Sequence, residues 1–193
     1  MKILSKEINS SFTIKKSKFL CFAFIVNSKE EVKIKIDYLK KEYPDASHIC
    51  YAYILDDKTY YFTDGGEPSG TAGKPIYGAL LSSKLNYTLL VVVRYFGGIK
   101  FGPGPLRSTF KDVATQTLKL AEFKTCKVCD LIQIKVEYSQ VKKIDSIFKQ
   151  EIYNKKFEKE FVLITLAGGK NKISSKLKLL NLKPISIKEN QVV

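Results

Sequence analysis

Long hydrophobic runs are missing from this sequence. No apolar stretch approaches the roughly 20 residues that cross a bilayer as a helix, so no membrane partner is expected. No charged segment followed by an apolar one and a cleavage site opens the chain, which makes the cytoplasm the expected compartment. Cysteine is scarce: Cys21, Cys50, Cys126 and Cys129 are too few among 193 residues for a disulfide framework. Cys126-Lys-Val-Cys129 has zinc-type spacing but only half a site. The one histidine, His48, excludes multi-histidine metal centres, and no Ser-His-Asp spacing or nucleophile elbow accompanies it. No metal or cofactor is therefore expected. Arginine is almost absent too. Of 33 basic residues, 31 are lysine, and the two exceptions are Arg94 and Arg107.

The charge that remains is lopsided. A formal net charge of +14 suggests a polyanionic partner, because clustered cations displace counterions from nucleic acid. The abundance of lysine, isoleucine and asparagine also fits AT-rich coding, so a merely solvated lysine surface stays open beside nucleic-acid binding. Retaining arginine in such a background points to a need for its planar, multiply donating head group.

Glycine and proline are concentrated rather than abundant. Nine of 11 glycines, four of six prolines and both arginines fall within residues 64–107. This stretch holds two loops, D-G-G-E-P-S-G-T-A-G-K-P (64–75) and R-Y-F-G-G-I-K-F-G-P-G-P (94–105). Mixed glycine and proline describe loops of set shape, and such loops on rigid elements usually bind something.

Around them the pattern is strand-rich. Residues 3–8 and 12–16 alternate weakly, with Asn9-Ser10-Ser11 expected as a turn, and 19–26 reads as a buried strand. Asn27-Ser28 caps a helix in which Val32, Ile36, Leu39 and Tyr43 share a face up to Pro44. Residues 49–55 and 59–63 form a hairpin, a helix is expected from Pro75 to Lys84, a strand from Asn86, and a further helix from Pro105. Each glycine loop thus feeds a helix. Residues 126–130 read as a junction. Beyond it come a strand over 131–138, a helix capped by Ser139, a hairpin over 152–166, a helix after Gly168-Gly169 and a last strand over 183–187. That β-α-β-β-α-β order is ferredoxin-like. Each part carries +7, so the smaller part has about twice the charge density.

A glycine loop opening a helix gathers unpaired N–H groups at the positive end of the helix dipole, which suits phosphate or carboxylate. Neither loop matches a nucleotide signature: Lys74 is followed by Pro75, and G-G-I-K-F-G-P-G is not G-x-G-x-x-G. Tight turns that only close the domain are the bland alternative. His48 with Asp64 or Glu67 offers an acid/base pair, which keeps a hydrolase open as an alternative.

A-S-H-I-C-Y-A-Y (46–53), D-G-G-E-P-S-G-T-A-G-K-P-I (64–76), V-V-V-R-Y-F-G-G-I-K-F-G (91–102) and K-S-K-F (16–19) resemble the signature segments of the IMPACT/YigZ family, in family order. The resemblance implies an α+β chain: a ribosomal protein S5 domain 2-like domain over residues 1–125, similar to domain IV of elongation factor G, then a ferredoxin-like βαββαβ domain over 126–193, similar to its domain V. It implies translational control in eukaryotic members, by binding the activator of an amino-acid-starvation kinase, and nucleic-acid or ribosome binding in bacterial ones. The family pattern falls on His48, Asp64, Glu67, Ser69, Gly70, Gly73, Lys74, Arg94, Gly97, Gly98 and Gly102, with no catalytic assignment. One departure stands out: bacterial relatives read G-T-G-G-L-V-R-A-Y where this chain has G-P-G-P-L-R-S-T-F, so the family arginine position is Ser108 and Arg107 is one residue, about 100° of helix, away. The resulting expectation is a protein that binds RNA or the ribosome, with Arg94, Lys74 and Lys100 on phosphate. A protein-interaction regulator whose Asp64 and Glu67 grip a basic partner is the alternative.

Overall fold

The computed structural model describes residues 1–126 and 128–192. Its elements run β1 (Lys2–Leu4), β2 (Ile8–Ile14), β3 (Ser17–Ile25), α1 (Lys29–Glu42), β4 (His48–Ile54), β5 (Tyr60–Thr63), α2 (Gly73–Ser83), β6 (Thr88–Tyr95), α3 (Pro103–Lys119), β7 (Phe123–Thr125), β8 (Val128–Val136), α4 (Tyr138–Ile147), β9 (Ile152–Phe157), β10 (Val162–Gly168), α5 (Lys170–Leu179) and β11 (Pro184–Val192). Two compact units result, Met1–Thr125 and Cys126–Val193. No helix among the described residues is long and apolar enough to cross a membrane.

The first unit is built on an antiparallel sheet in the order β2-β3-β6-β4-β5. Strand β6 is buried from Thr88 to Arg94 because both faces of the sheet are covered, which is why it reads as a continuous apolar run. Leu90 and Val92 pack with Ile76 and Leu80 of α2 and Phe110 and Val113 of α3, whereas Leu89, Val91 and Val93 pack with Val32, Ile36 and Leu39 of α1. Burying each such side chain contributes about 1.5–3 kcal/mol. Helix α1 starts where Ser28 Oγ accepts from the Glu31 N–H and the Glu31 carboxylate accepts from the Asn27 N–H.

Several boundaries differ from expectation. Asn9-Ser10-Ser11 is no turn, since β2 pairs with β3 without interruption from Ile8↔Ala23 to Ile14↔Ser17. The reversal falls instead at Lys15-Lys16, both at positive φ (46° and 63°), the backbone of a tight hairpin turn that lysine ordinarily avoids. Helices α2 and α3 begin two residues earlier than Pro75 and Pro105, because proline is tolerated throughout a first turn whose N–H groups have no intrahelical partner.

This framework sets the position of the site. Arg94 lies opposite Phe19 of β3 and His48 of β4 in the ladder, and alternation along β6 turns it to the same face as Leu90 and Val92. Phe19, Arg94 and His48 therefore form one row beneath the two glycine loops.

The second unit pairs its strands in the order β11-β8-β10-β9. Ile132, Ile134, Val162, Ile164 and Leu166 pack with Ile144 and Phe148 from the α4 side and Ile173 and Leu177 of α5. Helix α4 is capped by Glu137 rather than Ser139: the Glu137 side chain and Gln140 form a reciprocal capping box, with Gln140 Oε1 accepting from the Glu137 N–H. Buried Glu151 accepts from Lys176 Nζ at 2.8 Å, with Lys172 Nζ 3.3 Å away, and these cations hold its carboxyl below the usual range against the upward push of burial.

Candidate functional site

The first loop uses its own amides. Asp64 Oδ1 accepts from the Ala72 and Gly73 N–H groups at 2.9 and 2.8 Å, and Oδ2 accepts from Gly70 N–H at 2.8 Å. A carboxylate from nine residues upstream thus occupies the positive end of α2, in place of the external anion that the loop's sequence suggests. Burial pushes the Asp64 carboxyl up, but the three N–H donors outweigh it and hold it below its ordinary value of 3.8. Gly73 is needed here because a Cβ would lie 2.6 Å from the Thr63 carbonyl carbon. Beneath the loop, Cys50 Sγ donates to the Asp64 carbonyl, and burial, then the Glu67 and Asp64 charges, push this thiol far up, so it stays inert.

The second loop offers little more. Phe96 N–H donates to Ser47 Oγ and Gly97 N–H to Ser17 Oγ. Pro103 and Pro105 carry no N–H, which leaves Gly104 as the one amide of the first turn of α3 without an intrahelical acceptor among the described residues. A Cβ on Gly97 would stand 2.0 Å from the Lys16 carbonyl, so glycine here is what lets the loop rest on the β2–β3 hairpin turn. The expected pair of backbone anion cradles is not formed.

Arg94 also departs from expectation. It is 4% exposed, and its Nη1 donates to Glu67 Oε1 at 2.6 Å, with Glu67 itself 7% exposed. Nη2 donates to Ser17 Oγ at 3.3 Å. The Phe19, Phe96 and Phe101 ring centres lie 5.4, 5.5 and 5.0 Å from the guanidinium carbon, within the range of cation–π attraction. Arg94 is therefore committed to an internal carboxylate and is not available to grip phosphate, because separating a buried ion pair costs more than a surface interaction returns. One donor is left over: Arg94 Nε is buried with no acceptor among the described residues, a state that costs about 1–3 kcal/mol.

The other candidate pairs are reordered in the same way. His48 Nδ1 lies 3.3 Å from the Gly65 carbonyl and Nε2 3.8 Å from Glu67 Oε1, so the histidine faces a carboxylate already engaged by Arg94. Asp64 is spent on amides and Glu67 on Arg94, so neither is presented outward to grip a basic partner. Ser69 is exposed and has no hydrogen-bond partner among the described residues, and Gly70, Gly98 and Gly102 sit at turn positions with φ of 70°, 83° and 76°.

Two hollows flank these loops. The first, a cleft of about 420 Å³ between α2 and α3, is lined by Lys74, Arg107 and Lys111 with Gly70 and Gly78. Arg107 Nε donates to the Gly70 carbonyl at 3.1 Å, which fixes the head group at the cleft. The second is a groove of about 430 Å³ lined by Pro68, Phe96, Phe101, Pro103 and Leu106, with His48, Glu67 and Arg94 also in its lining and Lys100 beside them. Sequence reasoning finds Lys74 and Lys100 but misses Ser17, Phe96, Phe101 and Lys111 and gives Arg107 less weight than Arg94. The K-S-K-F segment is the available signal for Ser17, and an amphipathic reading of α3 is the signal for Lys111 one turn from Arg107.

These features describe an α+β protein of two units, the first of which gathers two glycine loops around a buried arginine–carboxylate pair. The profile of the Impact N-terminal domain matches residues 15–118, which include the whole of this constellation. An IMPACT family member from Haemophilus influenzae is 34% identical over 158 residues, covering 78% of this chain and 77% of its own. The IMPACT family member YigZ of Escherichia coli is 32% identical over 161 residues, covering 80% and 78%. A crystal structure of a hypothetical protein superposes with a TM-score of 0.69 at 29% identity and covers 98% of each chain. The chain belongs to the IMPACT family.

Proposed function

We propose that this chain binds RNA or the ribosome in the control of translation, and that it contacts phosphate at the α2–α3 cleft. The carrying observation is that Lys74, Arg107 and Lys111 converge on one concave surface and pair with no carboxylate among the described residues. Three unneutralised cations in one cleft attract a polyanion and hold its backbone without reading its sequence. The net charge of +14 adds long-range attraction, and IMPACT family membership supports the translational part of the reading, since the family resemblance implies translational control. We also assign the first unit the ribosomal protein S5 domain 2-like fold and the second the ferredoxin-like fold. The βαββαβ element order with sheet order β11-β8-β10-β9 supports the second of these.

The test is fluorescence anisotropy with a labelled stem-loop RNA, together with co-sedimentation with ribosomes, across a salt series. The triple variant Lys74→Ala/Arg107→Ala/Lys111→Ala is expected to lower the slope of log K against log salt by about 2, at about 0.7 for each phosphate that is no longer neutralised. Unchanged affinity and slope in that variant remove the cleft from the reading, and absence of any binding by the native chain removes the reading itself.

A further inference from the structure

The groove beside the cleft has a different chemistry. Its walls are Pro68, Phe96, Phe101, Pro103 and Leu106. Glu67 neutralises Arg94, so the interior exerts little net pull on a phosphate. What fits is a neutral, flat group that presents an aromatic face to Phe96, and every nucleobase has one.

The two hollows are also built on the same two elements. Helix α3 gives Pro103 and Leu106 to the groove and Arg107 to the cleft, while the first glycine loop gives Glu67 and Pro68 to the groove and Gly70 to the cleft. Lys100 in the groove lining and the three cations of the cleft would then hold successive parts of one backbone. We propose that the groove accepts a single unstacked base of the RNA whose phosphates occupy the cleft, an inference that rests on the RNA-binding reading above. The base stacks on the exposed ring of Phe96, which packs against the Arg94 guanidinium, and Glu67 and Ser17 hold that guanidinium in place beneath it.

Phe96 is the residue to change, because it is 47% exposed and its loss does not open the core. Phe96→Ala is expected to weaken binding of the same stem-loop RNA about tenfold while leaving the salt slope unchanged, since stacking releases no counterions. A stem-loop whose loop nucleotides lack bases is expected to show a similar weakening with the native chain and none with Phe96→Ala. A loop carrying 4-thiouridine should crosslink under ultraviolet light to His48, Phe96 or Phe101. Native affinity for Phe96→Ala, with crosslinks elsewhere, overturns the base site and leaves the phosphate cleft standing. Failure of the native chain to bind the RNA overturns both.

Discussion

Arg94 lies next to the end of the central strand β6 in a shell of three phenylalanine rings, bonded to Glu67 and Ser17, while Arg107 projects from an exposed turn of α3 with one bond to a carbonyl. The two residues have the same head group and belong to the same glycine-rich region. Burial separates their roles. Where water is excluded, a guanidinium needs a carboxylate of its own, and the pair becomes part of the framework. Where water remains, the charge is left for a partner. The motif that looks most functional in sequence is therefore the one most tied to structure, and the arginine given less weight is the one on the accessible surface.

The largest effect expected from breaking this contrast is at the buried end. Arg94→Ala removes the cation bonded to buried Glu67, and should cost about 3–5 kcal/mol of unfolding free energy in urea melts. A loss under about 1 kcal/mol contradicts the buried-pair description. The double variant Arg94→Met/Glu67→Leu sharpens it: removing both charges together should recover most of that loss, because apolar groups of similar size do not strand a charge.

Asp64 comes next. Asp64→Ala removes the acceptor for three backbone N–H groups and should cost about 2 kcal/mol near neutral pH. Because the folded carboxyl sits below its ordinary value of 3.8, its contribution is full above that value and is lost as pH falls through the lower folded value. Acid titration of the melts should therefore bring the native chain and Asp64→Ala closer together below about pH 3.8. A constant gap down to the acid limit of folding argues against the N–H cradle.

The smallest effect on stability is expected at the exposed arginine. Arg107→Ala should stay within about 0.5 kcal/mol of native stability, yet lower the salt slope of RNA binding by about 0.7. A large destabilisation with no change in slope would reverse the contrast between the two arginines.

Particular residues show where sequence reading succeeds. The cap at Ser28, the Val32-Ile36-Leu39 stripe and the unbroken apolar run of β6 are local patterns, and the elements they imply are found. The turn between β2 and β3 is misplaced by sequence because Asn9-Ser10-Ser11 carries the stronger turn propensity, while the actual reversal uses two lysines held at positive φ by pairing on either side and by Gly97 resting on Lys16. The candidate site is legible as a neighbourhood but not as a set of partners. Glu67 and Arg94 are 27 residues apart, and Asp64 reaches amides six to nine positions downstream, beyond any standard capping spacing.

By itself the sequence determined the order of helices and strands apart from the short β7, the concentration of glycine and arginine in one region and the family to which the chain belongs, because these follow from periodicity, backbone preference and motif. The tertiary structure alone decided which charges face water. Charge pairing depends on distances between residues far apart in the chain, and the cost of an unpaired charge depends on burial, which exists only once the sheet and helices have packed.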